Sequence, residues 1–126
     1  MSKHQFKHSF IFQAGESEKT EMFEFGFIPS RFSRLYITEV AVVMDVQAVM
    51  ETKIVTVCSN HTNFSKYLIS IPISPDKNFV EQRSYCKFPV LTLLPNLLKL
   101  SLEDETGRPY YPTGRVIVTV VSTMIS

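Results

Sequence analysis

The chain has 126 residues, 44% of them hydrophobic and 20% charged, with a formal net charge of +1. That length fits one domain spanning 1–126, able to bury a core without a metal or disulfide. The composition excludes a disordered chain, and the balanced charge without any Lys/Arg run points away from nucleic-acid binding.

In chain order, the dominant signal is period-two alternation interrupted by turn residues. Phe6, His8, Phe10 and Phe12 share one face of a first strand, with Gln5, Lys7, Ser9 and Ile11 on the other. Residues 13–19 (QAGESEK) read as a turn. Phe23, Phe25 and Phe27 then alternate with Glu24 and Gly26, the pattern of a half-buried strand ended by Pro29-Ser30.

From Leu35 to Met50 helix and strand compete. β-Branched residues favour a strand to about Asp45, because such side chains suit a pleated surface. Ala48–Glu51 reads as a short helical turn. Its expected faces are Leu35, Ile37, Glu39 and Ala41 against Tyr36, Thr38, Val40, Val42 and Met44. Lys53–Cys58 is the next strand, closed by a loop over Ser59–Asn63. Tyr67, Ile69, Ile71 and Ile73 alternate after it, and Pro72 marks an edge or a strand end.

Ser74–Asn78 is a turn cluster. Phe79–Tyr85 and Lys87–Leu94 read as two weak strands, the second interrupted by Pro89. Leu98, Leu100 and Leu102 alternate with Lys99, Ser101 and Glu103. Asp104–Pro109 turns the chain, and Val116–Val121 is the final strand. About eight or nine short strands with hardly any helix predict an all-β antiparallel sandwich, and the strand count favours a jelly roll.

Catalytic chemistry finds no support in the motifs. His4 and His8 are four apart, which in a strand places them about 13 Å from each other, too far to share a metal. His61 stands alone in a polar loop. Glu103-Asp104-Glu105 runs directly into Thr106-Gly107 and reads as a solvated hairpin turn, not a calcium loop. Glu16, Glu18 and Glu21, interleaved with Lys19, read as a solvated loop. There is no GxSxG elbow, no cysteine-hydrolase motif and no glycine cluster for phosphate. The expectation is a protein that is not an enzyme and carries no cofactor or metal.

Cys58 and Cys86 have neither redox nor zinc spacing. Buried free thiols are the simpler reading, with a disulfide open if their strands are neighbours. The N-terminus lacks an apolar signal region, so synthesis in the cytoplasm without a signal peptide is expected. No run is long enough to span a membrane. The sequons at Asn60 and Asn63 read as chance matches in a polar loop.

Interface candidates come from the aromatic first strand and from arginines near strand ends. Phe6, Phe10 and Phe12 are placed where a terminal strand meets a neighbouring sheet edge, with sandwich core as the competing role. Arg31, Arg34, Arg108 and Arg115 are expected at the rim.

Residues 95–109 (PNLLKLSLEDETGRP), followed by 114–120 (GRVIVTV), resemble the closing hairpin of jelly-roll capsid proteins of polinton-type transposons and related DNA viruses. Tyr85-Cys86-Lys87-Phe88-Pro89-Val90 is similar to the segment before that hairpin. The resemblance covers about a third of the chain and implies a capsid-type or capsid-derived domain. It further implies homo-oligomers, with trimers or pentamers in a virion role, and contacts with other capsid or host proteins. The competing class is a monomeric binding module that recognises a protein or glycan at one sandwich end, through Gln13–Thr20, Ser59–Ser65 and Ser74–Asn78.

Overall fold

The computed structural model describes residues 3–22, 34–45, 52–61, 64–74, 79–90 and 97–125. Among them are eight strands: β1 (Lys3–Phe12), β2 (Glu18–Met22), β3 (Arg34–Asp45), β4 (Ile54–His61), β5 (Phe64–Pro72), β6 (Phe79–Val90), β7 (Leu97–Glu103) and β8 (Val116–Ile125). They form two four-stranded antiparallel sheets, ordered β1-β8-β3-β6 and β2-β7-β4-β5. The pairs β1·β8, β2·β7, β3·β6 and β4·β5 are those of one long antiparallel ribbon folded over itself. That wrapping is a jelly roll.

The core lies between the sheets. Phe10, Phe12, Val116, Val118 and Val120 contribute from β1 and β8, and Ile37, Val40, Val42 and Met44 from β3. Val55, Val57, Leu68, Ile69, Ile71, Leu98, Leu100 and Leu102 face them from the second sheet. Each such burial is worth about 1.5–3 kcal/mol relative to exposure, before the entropy cost of ordering.

Two predicted alternations break at β-bulges. In β3 the register shifts between Ile37 and Glu39, and Thr38 is an extra residue relative to β8. Ile37 therefore joins Val40, Val42 and Met44 in the core and does not share a face with Glu39 and Ala41. In β5 Leu68 is the extra residue, because Val57 pairs with Ile69 and Cys58 with Tyr67. Leu68 and Ile69 are both buried, and Tyr67 is turned out to 69% exposure.

Several boundaries also differ from expectation, among them the final strand, which runs to Ile125 and not to Val121. Glu18–Met22 is a strand, because β7 supplies its hydrogen bonds although it lacks an apolar face. β4 continues through Ser59 to His61. β6 runs unbroken through Pro89, which an edge strand tolerates because one side of its backbone needs no partner. The expected strand at Phe23–Phe27 and the helical turn at Ala48–Glu51 lie outside the described residues.

Alternate connections gather at the same end. The ends of β1, β3, β5 and β7 and the starts of β2, β4, β6 and β8 share one end, where Gly15 N–H donates to Pro112 C=O at 2.9 Å, Asp45 N–H to Arg115 C=O at 3.2 Å and Ile73 N–H to Lys53 C=O at 2.8 Å. The β4–β5 hairpin is at the other end. Ser59–His61 therefore lies at the end opposite Gln13–Ser17, away from the surface on which the sequence reading grouped them, while residues 62–63 and 75–78 of the predicted loops lie outside the described residues. An antiparallel strand between two loops sends them to opposite poles.

Candidate interaction surfaces

The predicted interface residues separate by environment. Phe10 and Phe12 are 0% exposed and belong to the core cluster, so their side chains are not available at the chain's surface. Phe6 is half-buried on the same strand. Arg108 and Arg115 are exposed on the β7–β8 connection, and Arg34 stands at the first position of β3 opposite Ile125. Arg31 lies outside the described residues.

The His8 ring on β1 hydrogen-bonds to the Glu21 carboxylate on β2, a contact that links the two sheets. The His8 ring also meets Phe10 edge to face, with centroids 4.9 Å apart. His8 thus takes its expected place on the inner face of β1, at the margin of the core. Among the described residues no group of three His, Cys, Asp or Glu side chains is placed to hold a metal.

The thiols are separated by the fold. Cys58 on β4 and Cys86 on β6 belong to different sheets, and both are free. Burial, with the nearby Glu103 charge, pushes the Cys58 thiol up to about 12. Burial also raises Cys86, whose S–H donates to Ile37 C=O at 3.5 Å. Neither is activated as a nucleophile, since the thiolate is the reactive form.

Ser122, on β8, is 0% exposed, and among the described residues its Oγ has no hydrogen-bonding partner. A buried hydroxyl without a partner costs about 1–3 kcal/mol. Ser122→Ala is therefore expected to leave stability unchanged or raise it by up to about 1 kcal/mol. Chemical denaturation checks this; a loss above about 1 kcal/mol would assign the hydroxyl a bonding role.

The acidic segment after β7 is a turn held from within. Asp104 Oδ1 accepts the Thr106 N–H at 2.9 Å, the Thr106 hydroxyl at 2.6 Å and the Arg108 N–H at 3.0 Å. Gly107 supplies the left-handed position, at φ 81°. Glu105 Oε2 accepts the Lys53 and Ile54 N–H groups at 3.0 and 3.3 Å, fixing the turn to the start of β4.

These bonds favour the ionised carboxylates. Thr106 chiefly lowers Asp104, and main-chain N–H groups lower Glu105. Folded values below the unfolded ones give stability that is present above the ordinary carboxylate range and lost as pH falls through the folded values. Melting temperature is expected to drop below about pH 4, with a shallower drop in Asp104→Asn. Thermal melts across pH check this; identical acid limbs in both proteins would contradict it.

The outer face of the β1-β8-β3-β6 sheet carries a depression of about 560 Å³ crossing all four strands. It lies beside the β3 bulge and a second irregularity in β6, where Ile37 pairs with Phe88 but Glu39 pairs with Tyr85. Bulges increase local twist and bend a strand. Val121 and Thr123 line it from β8. The Thr38 hydroxyl lies 3.1 Å from that of Thr123 and donates to Val121 C=O at 3.3 Å.

Around them stand Lys7 from β1, Tyr36 and Glu39 from β3, and Tyr85 and Lys87 from β6. Lys87 Nζ is 4.9 Å from the Tyr36 ring centroid. Tyr85 is 74% exposed, and Glu39 is paired with Arg83 Nε at 2.8 Å. With Glu39 neutralised, Lys7 and Lys87 leave this aromatic face positive. Period-two reading set Lys7 on the face opposite Phe10 and Phe12 but could not find the depression, which depends on bulges.

No protein-family profile matches the chain, and no curated protein sequence matches it. Among solved structures it is similar to the PRD1 vertex protein P5, with a TM-score of 0.51 and 12% identity over 92% of this chain and 94% of that one. A looser likeness is to the Drosophila NLP core, from work on pentamer formation and histone binding, with a TM-score of 0.43 and 10% identity over 92% and 96% of the two chains. The infectious bursal disease virus Gx strain structure gives 0.36 and 8% identity, over 94% of this chain and 32% of that one. The first of these shows a shared fold.

Proposed function

We propose that this chain is a structural assembly protein, a capsid- or vertex-type jelly-roll domain that works as a homo-oligomer. The observation that carries the reading is the likeness to a vertex protein over nearly the full length of both chains. The closing-hairpin resemblance at residues 95–120 points the same way. So does the surface, where Tyr67, Tyr85, Tyr111 and Phe79 are more than half exposed. Large aromatics are enriched at protein–protein contacts. In this reading the chain acts without catalysis or cofactor. Its partners are identical copies, in a trimer or pentamer, together with other capsid or host proteins, and its place is the virion.

A monomeric binding module is the second reading. It is favoured by the β7–β8 connection, which carries Tyr111 at 60% exposure together with exposed Arg108 and Arg115. Sedimentation velocity over a concentration series separates the two. One closed oligomer, persisting on dilution, supports assembly; a strict monomer at high concentration overturns it in favour of the module.

A further inference from the structure

We infer that the depression on the β1-β8-β3-β6 face receives the acidic β7–β8 turn of a second copy of this chain. The inference rests on the homo-oligomer reading and names the contact within it. Lys7 and Lys87 stand on the two edge strands of that sheet, on either side of a hollow of about 560 Å³. Their charges are not balanced by Glu39, which is bound to Arg83 at 2.8 Å.

Glu103, Asp104 and Glu105 put opposite charge on a turn that follows a strand of the other sheet. The turn needs little ordering on contact, because Asp104 and Glu105 already bind four backbone N–H groups between them. Binding by a preorganised segment avoids much of the usual entropy cost. Apolar surface accompanies the charge on both sides. Tyr36 and Tyr85 line the depression, and Ile54 and Tyr67 flank the turn. Buried aromatic anchors surrounded by complementary charge are the usual composition of a specific contact.

Depression and turn are different surfaces of one chain, so the contact is either made twice across a two-fold axis or repeated head-to-tail, building a ring when its rotation closes. The depression and the turn are each used once per copy, which leaves no copy of either surface unpaired in a closed ring.

The test is charge exchange, read as mass in solution with the full chain. Lys7→Glu with Lys87→Glu is expected to give a folded monomer where the unaltered protein is an oligomer. Adding Glu103→Lys and Thr106→Lys, which leave the Asp104 and Glu105 carboxylates in place, is expected to restore the oligomer. Melting curves confirm that each variant folds. An independent measurement uses the unaltered protein: raising NaCl from about 0.05 M to about 0.5 M should weaken association by about tenfold or more. An oligomer that survives the lysine substitutions, or that is indifferent to salt, overturns this contact and leaves the assembly reading standing. Capture of an acidic glycan by a monomeric protein, lost with the lysines, overturns both.

Discussion

Phe10→Ala is expected to destabilise the fold by about 3–5 kcal/mol, the range for emptying a buried phenylalanine site. Domains of this size have about 5–15 kcal/mol in total. The melting temperature should therefore fall by roughly 10 °C or more. Phe10 is 0% exposed, pairs in register with Val118 on β8, and packs in the cluster shared by both sheets. A cavity there loses contacts on both sheets, and the surrounding β-branched side chains have few rotamers with which to refill it. Denaturant unfolding measures the effect. The result also decides between the two roles that a terminal aromatic strand suggests. A core residue lowers stability equally at all protein concentrations; a subunit-contact residue lowers it most where the oligomer is populated. The first pattern is expected.

Gly114→Ala is expected to cost about 1–3 kcal/mol, from overpacking alone. A β-carbon at this position would lie 2.9 Å from Asp45 Cβ and 3.2 Å from the Asp45 carbonyl oxygen. Neither obstacle is the movable end of a long side chain, so relief requires the backbone to shift. The next residue, Arg115, accepts the Asp45 N–H at 3.2 Å, and that bond joins the β7–β8 connection to the end of β3. The loss should appear as lower stability and as faster amide exchange at Asp45. Unchanged exchange at Asp45 would contradict the account of how this end is tied. By contrast, Gly15 has open space around it, and its substitution acts only through its φ of 86°.

Much of the fold was legible because alternation survives wherever a strand is regular. β1 and β8 pair without a slip from Lys3–Ile125 to Phe12–Val116, and their inner residues are those that period two selects. β7 behaves likewise, with Leu98, Leu100 and Leu102 all at 0% exposure. Where the reading missed, a tertiary partner had overruled the local pattern. Leu68 and Thr38 sit at bulges that arise from pairing with a neighbouring strand, and one sequence does not reveal such a register. β2 was hidden because Glu18, Lys19, Thr20 and Glu21 give no apolar face. It is a short, charged edge strand, of the kind that limits unwanted sheet pairing.

The candidate surface was less legible for the same reason. Lys7 and Lys87 are eighty positions apart in sequence and face one hollow only because β1 and β6 close the two sides of one sheet. The acidic turn was visible at once, through Asp104-Glu105-Thr106-Gly107, but its rigidity was not. Glu105 reaches backbone N–H groups at Lys53 and Ile54, which no local pattern indicates.

The most direct test of the account is the mass of the native particle formed by the 14.5 kDa chain. Native mass spectrometry of the purified protein is predicted to give one dominant closed species, a trimer or a pentamer. A spectrum containing only the single chain, at concentrations up to the solubility limit, would contradict assembly as its function.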